Sequence, residues 1–411
     1  IASIATSLIL LTLLPVARHG RLAMLDGAQL SAIALLWFLL LSFDKSSQDR
    51  WRAVGVGLAC SWMLLLKAPF LIPTALAALI PIFWSQNLQL FLRFRVGTWF
   101  LIGLLPGVLW HMCNFWQRGN GALWLWWGDG AGRVLFDAGS GSDLGWRVPL
   151  LEILEGGWPW ILIWPFGIVL AWRYRSTQWG MWSLSTQVVF MMVILPLRTQ
   201  LPWYSHPLWL PFSLICGYPI SLIIKRQINH LGGKIFIYVV PLIWQIIGTL
   251  LCLLSILGLT SFFIWFRPYC LISLLAGIGW SFGGFWIRSS NILLRLRGLF
   301  VLALGSFLAL FVLMGSSMWL WELNEHWAVD LPSQLAIKVA KGEQVVVNSE
   351  FERPSLNWYA KRRIPTFDST PYAKFILTKD SDLSSPKILS SKCTSISSKE
   401  SWSILRCDLN D

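Results

Sequence analysis

Three side chains that could bind an anion occur together in the segment 198–211, RTQLPWYSHPLWLP, which separates two apolar runs. They are Arg198, Tyr204 and His206. Guanidinium and phenol groups supply the hydrogen-bond donors that phosphate oxygens accept. Pro202 and Pro207 restrict the backbone beside them and hold the side chains on a stiff segment. The segment predicts a phosphate site, although its aromatic residues are equally typical of the belt at a membrane interface.

Three more cations lie in breaks that we predict to share one side of a membrane: Arg21, Lys67 and Arg133. Lys67 lies in LLLKAPF, where the alternative role of a lysine among leucines is simply to extend to the interface. Cations that converge beneath lipid headgroups suit a lipid phosphate or pyrophosphate. We therefore predict a set of substrate- and phosphate-binding residues: Arg21, Lys67, Arg133, Arg198, Tyr204 and His206.

Acidic residues are absent from the two stretches 50–128 and 156–321, which leaves few candidates for acid–base chemistry. Asp26, in ARHGRLAMLDGAQL, follows a break on the same predicted side as the cations. A carboxylate at the edge of a span is costly unless it is paired or functional, so Asp26 is the predicted catalytic carboxylate. The alternative is that Asp26 caps the following helix, and both roles are compatible. No Cys or His spacing predicts a metal site.

The elements that must position these residues are membrane helices. The sequence is 55% hydrophobic and 13% charged, whereas soluble domains carry about 25% charged residues. Its apolar runs predict an all-α polytopic membrane domain over 1–321 with about eleven spans, since a span needs about 20 apolar residues. The predicted spans lie near 1–16, 27–43, 53–66, 69–84, 97–112, 157–172, 179–196, 206–224, 236–257, 269–287 and 298–320.

Charge predicts the orientation of these spans. The tail from Glu322 is neutral, so the net charge of +13 lies entirely before it. The basic breaks alternate along the chain and are predicted to be cytoplasmic; they are Lys45–Arg52, Arg93–Arg95, Arg173–Arg175, Lys225–Lys234 and Arg288–Arg297. A long loop, 113–156, and the tail are then outside. Cations scattered over several loops argue against a nucleic-acid partner.

The tail, 322–411, is predicted to form a small extracytoplasmic α/β domain. A helix near Asp330 is followed by Gly342 and a strand, RPSLNWYAKRR suggests a second helix, and YAKFILTKD and SWSILRCDL suggest strands. Cys393 and Cys407 are able to pair if this domain faces an oxidising compartment.

In their order along the chain, these stretches resemble the GT-C membrane glycosyltransferases, in particular the lipid-A aminoarabinose transferase and the related protein-mannosyltransferase-like enzymes of bacteria. Ala68 and Gln200 replace a glycine and a lysine of the family's pattern. The stretches that carry the resemblance are ARHGRLAMLDGAQL, GLACSWMLLLKAPFLIP, GNGALWLWWGDGAGRVLF, GGWPWILIWPF, RTQLPWYSHPLWLP and FERPSLNWYAKRRIP.

The resemblance implies a multi-pass protein of the cytoplasmic membrane. Its function is then inverting transfer of a hexosyl or pentosyl group from a polyprenyl-phosphate carrier to a lipid, glycan or protein acceptor on the outer face. Lys67, Arg133 and Tyr204 are implied to hold the carrier phosphate, and Asp26 to line the same cavity. No cofactor is firmly implied. A divalent cation, used by some members, is left open because WWGDGAGRV lacks their histidine.

The family's catalytic aspartate lies on a first outer loop that precedes the span near 1–16. We therefore expect this chain to be truncated at its N-terminus and to lack that loop. Two other function classes remain open from the sequence. One is a polyprenyl-lipid or sugar transporter or flippase, whose mark is inverted repeats, and the sequence shows no such symmetry. The other is a non-catalytic partner in envelope glycan assembly.

Overall fold

The computed structural model describes residues 1–21, 25–43, 49–84, 94–126, 147–197, 201–227, 231–316, 318, 329–370, 373–379 and 392–408. The chain divides into two compact units, Ile1–Met314 and Gly315–Asp411. The first unit is helical. The second is the small mixed unit that the tail predicts.

Helices of the first unit follow the predicted apolar runs. They are α1 (Ala2–Leu11), α2 (Leu14–Arg21), α3 (Leu25–Leu41), α4 (Asp49–Lys67), α5 (Leu71–Trp84), α6 (Phe94–Arg118), α7 (Asn120–Trp126), α8 (Arg147–Gly156), α9 (Trp164–Arg173), α10 (Gln178–Ile194), α11 (Trp209–Lys225), α12 (Leu231–Leu257), α13 (Cys270–Ile287) and α14 (Ile292–Gly315). Short 3₁₀ segments occur at Ala68–Phe70, Trp160–Leu162, Pro202–Leu208 and Ser261–Tyr269.

A strict test of helix length and composition gives fewer spans than the eleven that the sequence predicts. Within the described residues, six helical stretches are long and apolar enough to cross a membrane, or seven if α1 and α2, bent by 60°, count together. Each of the eleven predicted runs contains a helix, but several of these helices are too short to pass. Within the predicted loop 113–156, α6 continues to Arg118, and α7 and α8 add further helix.

A proline breaks the long helical stretch Asp49–Trp84, which contains the predicted spans 53–66 and 69–84. Pro69 has no amide hydrogen to donate to the carbonyl four residues earlier. Helix α4 ends at Lys67, whose backbone is not helical, with φ −158° and ψ 78°. The ammonium group of Lys67 therefore belongs to the last turn of a helix, where the helix dipole favours a cation.

The core of the first unit is aromatic. The indole N–H of Trp160 donates to Oγ1 of Thr12 at 2.9 Å, which satisfies a polar group deep in the bundle. Phe311, by contrast, is 69% exposed. An apolar outer surface of this kind suits a hydrocarbon environment, because lipid tails solvate it without cost. The largest fully buried side chains include Trp160, Trp209, Trp244, Phe190 and Phe212.

Glycines allow α12, α13 and α14 to pack closely. A Cβ atom added at Gly279 would lie 2.6 Å from the Cα atom of Gly305, and one added at Gly248 would lie 2.3 Å from the amide nitrogen of Ser281. Both distances are shorter than any normal contact. Small residues at such crossings give membrane helices the close van der Waals contact that holds them together.

We expect Gly279→Leu to lower the free energy of unfolding of the first unit by about 2 kcal/mol or more, because the larger side chain must push α13 away from α14. Thermal unfolding in detergent, followed by reaction of the free thiols with a fluorogenic dye, measures this loss. Gly97→Leu is the matched control, because a Cβ at Gly97 meets nothing within 4 Å. Equal losses from both variants would contradict close packing as the cause.

The second unit contains a four-stranded sheet with strand order β1-β2-β4-β3. Its elements are α15 (Asp330–Ile337), β1 (Val345–Val347), α16 (Pro354–Ala360), β2 (Phe375–Lys379), β3 (Lys392–Lys399) and β4 (Trp402–Asp408). The β1–β2 pair is parallel and the other pairs are antiparallel. The predicted helices and three predicted strands are present. The strand β3 was not predicted, because KCTSISSK has almost no apolar alternation.

Cys393 and Cys407 face each other across β3 and β4 and form a disulfide. The pairing that the sequence offered is therefore present. Apolar side chains from α15, α16 and the sheet bury one another beneath the strands. Among them, Leu335, Val345, Leu356 and Leu377 are fully buried.

Candidate functional site

Several elements of the first unit converge on the 3₁₀ segment Pro202–Leu208. Helices α2, α3, α8 and α10 all pack against it. The Lys67 break at the end of α4 reaches the same place through the side chains described next. Because the segment carries two prolines, Pro202 and Pro207, its backbone is fixed more firmly than an ordinary loop.

Asp26, Lys67 and Tyr204 form one cluster. Asp26 lies in the first turn of α3, where a carboxylate is favoured by the helix dipole, and it is buried. The ammonium Nζ of Lys67 donates to Oδ1 of Asp26 at 3.4 Å. The same Nζ lies 4.9 Å from the centroid of the Tyr204 ring, a cation–π contact. A cation is thus held between a carboxylate and an aromatic face.

Two buried histidines lie beside this cluster. The ring centroids of His19 and His206 are 5.5 Å apart in an edge-to-face arrangement. The ring of Trp203 lies 6.3 Å from that of His19. Helix α3, which carries Asp26, packs against the 3₁₀ segment that carries His206, so the histidines and the Asp26 cluster are neighbours. His19 comes from α2 and His206 from the 3₁₀ segment, two elements that are far apart in the sequence.

A buried ion pair holds α2 in place. Nη2 of Arg18 donates to Oε2 of Glu152 at 2.7 Å, and both side chains are almost entirely buried. Because Arg18 immediately precedes His19, this contact with α8 also fixes the position of the first histidine. The sequence analysis missed the pair. The sequence did contain an indication of the pair. A buried arginine needs an acidic partner, and the long stretch 156–321 contains no Asp or Glu that could be that partner.

The structure brings together Asp26, Lys67, Tyr204 and His206 of the predicted site. Their roles in binding and catalysis stay predictions. The side chain of Arg21, at the end of α2, and residues Arg133 and Arg198 lie outside the described residues. Among the residues that are described, no group of three or more His, Cys, Asp or Glu side chains could hold a metal ion.

The ammonium group of Lys67 can exchange its partner Asp26 for an incoming anion. Lys67 is about one-third exposed in its side chain, whereas Asp26 is mostly buried. An anion that approaches Lys67 from its exposed side would compete with Asp26 for the ammonium group. Charge-assisted hydrogen bonds to phosphate are of the same kind as those to carboxylate. The arrangement therefore suits a phosphate group at Lys67 with a carboxylate close by.

Two solved structures share this architecture. They are ArnT from Cupriavidus metallidurans bound to undecaprenyl phosphate, with a TM-score of 0.71 and 15% identity, and the same protein in the apo state, with a TM-score of 0.72 and 14% identity. Each superposition covers 98% of this chain and 78% of ArnT. The chain has the ArnT fold. Because almost the whole chain is covered, both units take part in the likeness to ArnT.

A curated relative points the same way. The chain is 27% identical over 231 residues to undecaprenyl phosphate-alpha-4-amino-4-deoxy-L-arabinose arabinosyl transferase 1 of Pseudomonas fluorescens. The match covers 52% of this chain and spans 40% of the length of the relative. No family model matches the chain. Together with the ArnT fold, the relative confirms the predicted resemblance to the GT-C aminoarabinose transferases.

Proposed function

We propose that this chain acts as a membrane glycosyltransferase, which moves a sugar from a polyprenyl-phosphate carrier to an acceptor hydroxyl. The observation that carries the proposal is the Asp26–Lys67–Tyr204 cluster. The ArnT fold supports it, since one ArnT structure holds undecaprenyl phosphate, the class of anion that Lys67 suits. The relative's name as an arabinosyl transferase favours a pentosyl over a hexosyl donor. A lipid acceptor is the first to test, before a glycan or a protein.

In the proposed reaction the carrier phosphate binds the ammonium group of Lys67. The acceptor oxygen attacks the anomeric carbon as the bond from that carbon to the phosphate oxygen breaks. Negative charge grows on the departing phosphate, and the ammonium group of Lys67, which lies beside the Tyr204 ring, stabilises it. Asp26, freed from Lys67, is the carboxylate of the described residues that is placed to take the acceptor's proton.

We further propose that the cluster and the C-terminal unit lie on the outer side of the cytoplasmic membrane. The alternating basic breaks support this orientation. The disulfide between Cys393 and Cys407 supports it as well, because disulfides persist in oxidising compartments. The count of about eleven spans belongs to the same proposal, in which the bilayer thins locally around the shorter helices.

Transfer itself is the decisive measurement. The protein as its gene encodes it, purified into nanodiscs with undecaprenyl-phosphate-linked 4-amino-4-deoxy-L-arabinose, is expected to release undecaprenyl phosphate when a lipid acceptor is added. Chromatography of both lipids follows the reaction. Movement of intact donor between the leaflets of a vesicle, without release, would instead identify a flippase. Neither release nor movement would leave a non-catalytic partner as the function.

A further inference from the structure

We propose that His19, His206 and Gln29 form a subsite for the sugar of the carrier lipid, separate from the phosphate site at Lys67. The inference rests on the proposed function and deepens it. It assigns His206 to the neutral, hydroxyl-bearing part of the ligand, whereas the sequence analysis grouped it with the phosphate-binding cations.

Buried polar atoms without partners carry the proposal. Both ring nitrogens of His206, Nδ1 of His19 and Nε2 of Gln29 have no hydrogen-bond partner among the residues that the structure describes. His206 is 1% exposed, and His19 and Gln29 are each 2% exposed. A buried polar group that lacks a partner destabilises the fold, because its desolvation is not compensated by a hydrogen bond. Such groups in one place indicate a ligand that supplies the partners.

The three side chains face one region. Gln29 follows Asp26 by three positions on α3, so both project from the same face of that helix. Helix α3 packs against the 3₁₀ segment that carries His206, and the ring of His206 contacts that of His19. The subsite therefore adjoins the cluster in which Lys67 is expected to hold the phosphate. A sugar joined to that phosphate would reach it.

The chemistry of the group suits a sugar rather than a second phosphate. Imidazole and carboxamide groups both donate and accept, which matches hydroxyl and amino substituents that do the same. Trp203, whose ring lies 6.3 Å from that of His19, adds an aromatic surface beside them. The two cations described in this region are already paired, Lys67 with Asp26 at 3.4 Å and Arg18 with Glu152 at 2.7 Å.

The affinities of the wild type and of His206→Phe for two lipids test the inference. The probes are undecaprenyl phosphate and undecaprenyl-phosphate-linked 4-amino-4-deoxy-L-arabinose, each titrated into nanodiscs that hold the whole protein. The wild type should prefer the glycosylated lipid by about tenfold, the equivalent of one or two hydrogen bonds. The variant should lose that preference and bind undecaprenyl phosphate as before. Its Tm without ligand should be no lower than that of the wild type, because no protein hydrogen bond is removed.

His111→Phe is the matched control. Nε2 of His111 lies 3.1 Å from the carbonyl oxygen of Leu64, so its loss should lower the Tm and leave the lipid preference intact. The subsite is disproved if His206→Phe weakens both lipids equally, or if the wild type shows no preference. The subsite and the proposed function are both disproved if neither lipid binds to the wild type. Lys67→Ala would then also leave lipid binding unchanged. Sugar preference without His206 dependence would overturn the subsite alone.

Discussion

Lys67→Ala is expected to lower kcat/KM for sugar transfer by at least about a hundredfold, equivalent to about 2.7 kcal/mol of transition-state stabilisation. The ammonium group is held 3.4 Å from Asp26 and 4.9 Å from the centroid of the Tyr204 ring before any substrate arrives. The phosphate takes the place of Asp26 at an ammonium group that is already positioned at the end of α4 and beside the Tyr204 ring, so the cation is in place when the phosphate departs and its removal acts on the transition state. Initial rates of undecaprenyl phosphate release measure the effect.

Two variants keep this prediction specific. Lys67→Arg retains the charge and should recover part of the rate, since guanidinium also binds phosphate. Lys225→Ala removes a lysine that likewise ends a helix, α11, but is exposed and outside the cluster. It should leave the rate unchanged. Wild-type turnover of correctly folded Lys67→Ala would remove the phosphate-site proposal.

Glu152→Gln is expected to destabilise the first unit by about 3 kcal/mol or more, because the Arg18 guanidinium loses its buried counter-charge. The two groups are 2.7 Å apart, and their side chains are 6% and 11% exposed. The loss should also reduce transfer, since α2 carries His19 into the site. Thermal unfolding in detergent and initial rates on the same preparations measure both effects.

A double-mutant cycle separates the ion pair from the size of the side chains. Arg18→Met combined with Glu152→Leu should recover much of the stability that either single change removes, because no charge is then left buried alone. Glu155→Gln, on the exposed side of the same helix α8, should change stability by less than about 0.5 kcal/mol. Simple additivity in the cycle would show that the pair does not act as a unit.

Helical structure was predictable wherever hydropathy alone decides it. Each apolar run contains a helix of the first unit, although α7, α8 and most of α2 lie outside these runs. The tail contains the three predicted strands and also β3, which was not predicted. Hydropathy was less informative about the number and the ends of the spans, because a run that a proline breaks, or that bends at a junction, is still apolar throughout. The stretch Asp49–Trp84 is the clearest case, since two predicted spans form one helical run in the structure.

The candidate site was predictable only as far as topology could take it. Placing Asp26, Lys67 and Tyr204 in breaks on one side of the membrane brought them to the same face, but not into contact. Asp26 and Lys67, which are in contact, lie 41 positions apart in the sequence. Arg18 and Glu152, which form the ion pair beside them, lie 134 positions apart. No local pattern encodes such distances. The histidine pair was missed as a pair because each residue on its own suits an ordinary buried position.

Pro69 lies two residues after Lys67, in the short 3₁₀ segment that interrupts the helical stretch there. With an amide hydrogen at this position, the two halves of Asp49–Trp84 could join into one rod about 54 Å long, well beyond the thickness of a bilayer's hydrocarbon core. The non-helical backbone of Lys67, with φ −158° and ψ 78°, would then be lost, and with it the present direction of the lysine side chain. Replacing Pro69 with another apolar residue would change neither charge nor hydrophobicity and would still reduce activity. Natural substitutions of Pro69 should therefore be rare.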